Sequence, residues 1–176
     1  FILRHVNSPY SVAAPLLILG HPGSGKSLLT EVICGQLMSD AFTYIRFVLR
    51  ETDPTDLLET QILKAIQRAT GSTIADWATF SRQLSHRPLV VILDGYDELL
   101  QVSGKARRRY LQEVQLFQQR AADLGSPVRV VVTSRIALIN KAAIPVGATV
   151  LRLLEFDTAQ RDAWVAVWNK TNAARL

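Results

Sequence analysis

The segment Gly20-His21-Pro22-Gly23-Ser24-Gly25-Lys26-Ser27 constrains this chain more than any other. It matches G-x-x-x-x-G-K-[ST] in full, and average residue usage puts a chance match in such a chain at roughly one in a hundred. Its surroundings match too. Leu16-Leu17-Ile18-Leu19 is a short continuous apolar run, the pattern of a strand buried on both faces. Lys26 to Met38 reads as a helix, with Leu28, Leu29, Val32, Ile33 and Leu37 at helical spacing. Strand, glycine-rich turn and helix in that order make a cradle for phosphate. Glycines let the backbone curl and approach an anion closely. The helix start adds N–H groups and the positive end of its dipole. Lys26 supplies a cation for β- and γ-phosphates, and Ser27 a hydroxyl for Mg2+. The phosphate-binding set is Gly20, His21, Pro22, Gly23, Ser24, Gly25, Lys26, Ser27 and Leu28. The plain alternative is a glycine-rich turn that binds nothing. His21 fills a variable position and reads as an exposed loop residue.

The rest of the chain continues the alternation. Phe42 to Leu49 is rich in aromatic and β-branched residues and reads as a strand. Asp53 and Pro54 read as the start of a helix that Gly71 closes, with Leu57, Leu58, Ile62, Leu63 and Ile66 on its inner face. Ile74 to Leu84 reads as a short helix, Leu89 to Leu93 as the clearest buried strand and Ala106 to Leu124 as a helix. Val128 to Thr133 and Thr149 to Leu153 read as strands, and Thr158 to Thr171 as a last helix. Apolar strands alternating with helices predict a mostly parallel sheet covered on both sides.

Two further motifs carry chemistry. The Leu89 strand ends in Asp94, followed by Gly95, Tyr96, Asp97 and Glu98. A carboxylate there can share Mg2+ with Ser27, and Asp97 and Glu98 are candidates for polarising an attacking water. A helix N-cap, or acids that merely complement a helix dipole, is the alternative. The valine strand ends in Thr133-Ser134-Arg135. Ligands of open α/β sheets sit beyond the carboxyl ends of the strands, so Arg135 is placed to meet a γ-phosphate. A surface arginine paired with a nearby acid is the alternative.

Composition sets the outer limits. Of 176 residues, 48% are hydrophobic and 20% charged, which suits one domain with one core and excludes a disordered chain. No apolar run approaches the roughly 18 residues that span a bilayer, and the start shows no signal-peptide pattern. A single cysteine, Cys34, excludes an internal disulfide, fits a reducing cytoplasmic setting and reads as a small buried hydrophobe. The net charge of +5 admits a polyanionic partner. The densest basic run, Lys105, Arg107, Arg108 and Arg109, reads as a solvated helix face in preference to a nucleic-acid site. Trp164 and Trp168, four apart, read as core packing or as docking to a neighbour. Because the chain begins with Phe1, we expect it to be a piece of a longer protein.

Taken together, Gly20 to Ser27, the string from Leu89 to Leu99 and Val130 to Arg135 resemble the NACHT family of signal-transduction ATPases, in the STAND branch related to AAA+ proteins. Asp94-Gly95-Tyr96-Asp97-Glu98-Leu99 is the most specific part, and Leu151 to Asp157 is similar to the segment that follows the family's sensor arginine. The resemblance implies a three-layer αβα P-loop NTPase fold with a mostly parallel five-stranded sheet. One extra strand would lie between the Walker A and Walker B strands. It implies ATP or ADP with Mg2+ as ligands, and slow hydrolysis used as a switch. Under it Lys26 and Ser27 bind phosphate and metal, Asp94 binds metal, Asp97 assists water and Arg135 is a first sensor. Residues 1–155 would form the nucleotide-binding domain and 156–176 the start of a helical subdomain. Self-association with ATP bound, and effector and sensor domains elsewhere in the full-length protein, are also implied. A P-loop kinase and a nucleic-acid-dependent ATPase are the rival readings.

Overall fold

Side chains on a strand alternate between faces, so a strand covered on both sides serves two cores at once. The computed structural model describes residues 1–37, 42–84, 87–103, 107–140 and 142–173. The strands are β1 (Leu16–Gly20), β2 (Thr43–Val48), β3 (Leu89–Asp94), β4 (Val128–Arg135) and β5 (Thr149–Arg152). They form one parallel sheet in the order β2-β3-β4-β1-β5. The extra strand between the loop-bearing β1 and the acid-bearing β3 is β4, so the expected fold class holds.

The helices are α1 (Ile2–Val6), α2 (Lys26–Leu37), α3 (Leu58–Thr70), α4 (Trp77–Gln83), α5 (Tyr96–Ser103), α6 (Tyr110–Asp123), α7 (Ile136–Ile139) and α8 (Thr158–Asn172). On one face of the sheet Leu17, Leu19, Leu89, Val91, Leu93, Val130 and Val132 pack against side chains of α3 to α6. On the other, Leu16, Ile18, Val90, Ile92 and Val131 pack against Val6, Ile33 and Cys34 of α1 and α2. The three central strands are buried nearly throughout. That double burial is what made them legible as continuous apolar runs.

Several expectations change. The inner face of α2 is Thr30, Ile33 and Cys34, while Leu28 is 62% exposed and Val32 also faces out. Burial does push the Cys34 thiol up from its ordinary pKa, as a small core residue requires. Asp53 does not cap α3. Its carboxylate accepts the backbone N–H and the hydroxyl of Thr55, closing a local turn, and the helix starts five residues later. Asp76 is the true cap of α4, accepting the Thr79 N–H at 2.7 Å. The expected helix ends at Met38 and Ala106, and Lys105, lie outside the described residues.

The basic run is not a solvated face throughout. Arg108 and Arg109 are exposed, but Arg107 is 7% exposed. Its guanidinium donates to the carbonyls of Pro54 and Asp56 and pairs with Glu113 at 2.7 Å. It also lies over the Tyr110 ring. The carbonyls of the loop before α3 need donors, and the forked guanidinium supplies them. The core reading of the tryptophan pair also fails: Trp164 and Trp168 stack on each other with half of each side chain exposed, and α8 buries none of its residues.

Candidate functional site

The carboxyl ends of β1, β3 and β4 meet on one side of the sheet. Register puts Gly20 beside Arg135 and Val48 beside Asp94. Alternation then sorts the side chains. Arg46, Asp94, Thr133 and Arg135 share the parity of Ile92 and Val131, so all four fall on the face covered by α2. The loop 21–25 crosses the end of β1 and delivers the start of α2 to the same place.

Gly23 and Gly25 hold this loop with φ of 74° and 83°, a left-handed conformation that side chains with a Cβ resist. The Leu29 N–H makes a helical bond to the Gly25 carbonyl at 2.8 Å. The preceding N–H groups, of Lys26, Ser27 and Leu28, have no earlier turn to bond to. Lys26 Nζ donates to the Gly20 and His21 carbonyls at 3.2 and 2.8 Å. Partial burial pushes its ammonium below the ordinary lysine pKa, against the pull of Asp97; Arg135 pushes the same way and Asp94 opposes. His21 is exposed, as expected, and the Ser24 hydroxyl is buried without a hydrogen-bond partner among the described residues.

A cleft of about 320 Å³ opens here, lined among others by Gly23, Lys26, Ser27, Asp94, Glu98 and Arg135. A hollow of about 380 Å³ at the amino ends of the strands is lined by Arg82, Arg87 and Arg129 and holds none of these residues. The first cleft therefore brings together every side chain that the sequence marks for metal or γ-phosphate.

Three arginine–carboxylate pairs organise it. Asp94, 4% exposed, receives Arg46 Nη2 on Oδ2 at 2.8 Å and the Thr133 hydroxyl on Oδ1 at 2.6 Å. Asp97 receives the Arg135 backbone N–H at 3.1 Å on one oxygen and Arg135 Nε at 2.9 Å on the other. Glu98 Oε2 lies 3.6 Å from Arg50 Nη1 and has no hydrogen-bond donor among the described residues. Asp97, expected to face water, is thus committed to Arg135. Glu98 is the acid with an oxygen to spare.

Arg46, Arg50 and Thr133 were missed in the sequence. Arg46 had one local signal, a charge in a run of strand-forming residues. Thr133 Oγ1 also accepts the Gly95 N–H at 2.9 Å, so one hydroxyl fixes both Asp94 and the turn after it. Replacing Thr133 by valine strands a buried carboxylate oxygen and an N–H at nearly constant volume. The expected loss is about 2 kcal/mol, read as a lower urea midpoint at unchanged slope. An unmoved midpoint would mean that the hydroxyl does not hold Asp94.

The residues fit a magnesium-bound polyphosphate. Mg2+ is held by one or two carboxylates with phosphate oxygens and water, not by a full protein cage. The buried Asp94 and the exposed hydroxyl residue Ser27 line the cleft beside the Arg135-bound Asp97, and among the described residues no group of three or more His, Cys, Asp or Glu could form such a cage.

No curated protein matches the sequence closely enough to count as a relative. Solved structures are similar in fold. A DNA replication initiation factor superposes with a TM-score of 0.58 at 15% identity, covering 97% of this chain and 49% of that one. AMPPCP-bound DnaA from Aquifex aeolicus gives 0.56 at 15%, with the same coverage. Cdc6p from Pyrobaculum aerophilum gives 0.56 at 14%, covering 86% of this chain and 42% of that one. The chain thus spans about half the length of these structures or less. The model of the AAA family, ATPases associated with various cellular activities, matches residues 16–153. That span runs from the first residue of β1 to just past β5 and takes in the glycine loop, the acidic strand end and the arginine. The chain belongs to the AAA family of ATPases.

Proposed function

We propose that this domain binds ATP and ADP with Mg2+, hydrolyses ATP slowly, and uses the difference between the two nucleotides as a switch for self-association and signalling in a larger, NACHT-like protein. The observation that carries the reading is the convergence of Lys26, Ser27, Asp94 and Arg135 on one cleft at the carboxyl ends of the strands. Backbone N–H groups from the loop and from the start of α2, through Leu28, cradle the phosphates, with Gly20 to Ser27 forming the wall. Lys26 leaves its two carbonyls for phosphate oxygens. Ser27 and Asp94 would hold Mg2+, which supplies charge neutralisation between β- and γ-phosphates.

Arg135 is the sensor. Its guanidinium is half-exposed and tied to Asp97, so a γ-phosphate competes with that carboxylate for it, and ADP does not. Differential contact of this kind is what a ligand needs to shift a two-state equilibrium. Glu98 polarises the attacking water, and Asp97 acts by holding Arg135 in range. Glu98→Gln is expected to keep nucleotide affinity and slow phosphate release by about 100-fold. If instead Asp97→Asn slows release and Glu98→Gln does not, the water-facing role belongs to Asp97.

Residues 1–155 are proposed as the nucleotide-binding domain and 156–176 as the start of a helical subdomain. Support comes from the family match, which ends at residue 153, and from α8, which buries no side chain. No helix of the described residues is long and apolar enough to cross a membrane. Calorimetry with Mg2+ and either nucleotide tests binding. Mass measurement of the full-length protein with ADP and with a non-hydrolysable ATP analogue tests the switch. Identical assembly states would overturn it.

A second reading, a nucleic-acid-dependent ATPase, is favoured by the likeness to a replication initiation factor. It would predict turnover stimulated by DNA and lost at higher salt. Burial of Arg107 removes the centre of the basic run that this reading needs.

A further inference from the structure

Arg46 stands on β2, an edge strand, on the face that packs against α2. Nε donates to Thr30 Oγ1 at 2.8 Å, and Nη2 donates to Asp94 Oδ2 at 2.8 Å. With Thr133 on Oδ1, both oxygens of this buried carboxylate are engaged by protein donors. A second acid, Glu31, lies 3.7 Å from the same Nη2 and is well exposed. Arg46 therefore has two carboxylates in reach, one deep in the cleft and one at its rim.

A hydrated Mg2+ bound through Asp94 needs a carboxylate oxygen to accept from its water or to ligate directly. The guanidinium presents its own N–H donors to that same oxygen, and two cations crowded onto one carboxylate repel each other. The hydroxyl on Oδ1 is neutral and buried, so the exchangeable partner is Arg46. We propose that Arg46 is the resident counter-cation of Asp94, that it competes with Mg2+ for Oδ2, and that Glu31 takes the guanidinium when metal displaces it. Arg46 is then a positioning residue that sets the metal concentration at which the site loads. The proposal rests on the nucleotide reading above.

The test is the affinity of the full-length protein for ADP and for a non-hydrolysable ATP analogue, measured by calorimetry across a series of free Mg2+ concentrations. The quantity read is the Mg2+ concentration at half effect. Arg46→Gln removes the competing charge and is expected to lower that midpoint roughly tenfold, the worth of one hydrogen bond to a charged group. Arg46→Lys keeps a cation in place and stays near the wild-type value. A merely structural role would not reverse with charge in this way. If Arg46→Gln folds and leaves the midpoint unchanged or raises it, the proposal is overturned. Should Arg46→Gln fail to fold, Glu31→Gln decides. Removing the rim acceptor raises the midpoint if the guanidinium moves there, and an unmoved midpoint overturns the exchange. Wild-type protein that binds neither nucleotide at any Mg2+ concentration overturns the nucleotide reading and this one together. Nucleotide binding with a midpoint indifferent to Arg46 overturns only this one.

Discussion

Replacing Lys26 by alanine is expected to weaken binding of both ATP and ADP on the order of 100-fold, a loss of about 3 kcal/mol for a desolvated charge-assisted contact. The size follows from where the ammonium sits. Lys26 is partly buried and is held by the Gly20 and His21 carbonyls, so it is already aimed and little freedom is lost when phosphate replaces those carbonyls. Its pKa is lowered chiefly by burial, so the charge is held less comfortably than in water, and an anionic ligand relieves that strain. The fold should survive, because the α2 core contacts come from Ile33 and Cys34 and not from Lys26. Calorimetry on variant and parent, with matching circular dichroism, gives the result. Equal affinities would remove Lys26 from the phosphate site.

Arg107→Ala is expected to have the largest effect on stability. The substitution strips donors from the Pro54 and Asp56 carbonyls, frees Glu113 and opens space beside the Tyr110 ring. Tyr96 and Tyr110 stack here, with the Tyr96 hydroxyl donating to the Arg107 carbonyl and the Tyr110 hydroxyl to Gln61. The change therefore loosens the knot that ties the loop before α3 to α5 and α6. A cost of about 3 kcal/mol lowers the melting temperature by roughly 6–12 °C for a chain of this size. Arg107→Lys should recover only part of it, since an ammonium cannot fork across separate carbonyls. A melting temperature unmoved by Arg107→Ala would mean that the guanidinium is solvated after all.

Arg107 also shows where sequence reading stops. Its neighbours Arg108 and Arg109 do face water, and nothing local separates the three. The deciding acceptors lie more than fifty residues earlier, at Pro54 and Asp56. The phosphate loop was legible because all its chemistry is local: spacing, glycines, one lysine and the serine that follows it, in eight residues. The central strands were legible because burial on both faces leaves an unbroken apolar run. Asp94 and Arg135 could be placed at strand ends without knowing the strand order. Arg46 and Thr133 could not be joined to Asp94, because parallel register and shared parity bring them together from 48 and 39 residues away. The face of α2 was misjudged for a related reason. Counting apolar residues favoured Leu28 and Val32, but the sheet selects the stripe that includes the polar Thr30, which Arg46 needs.

One property of β4 reaches further. It is laddered on both flanks, to β1 through Gly20 and Arg135 and to β3 through Leu93 and Val132. A strand so clamped cannot slide without breaking rungs on either side and turning its side chains to the wrong face. The sheet is an anvil, not a lever. Whatever Arg135 learns about the terminal phosphate must leave through the swing of its own guanidinium and through α7, whose first residue is the very next one in the chain.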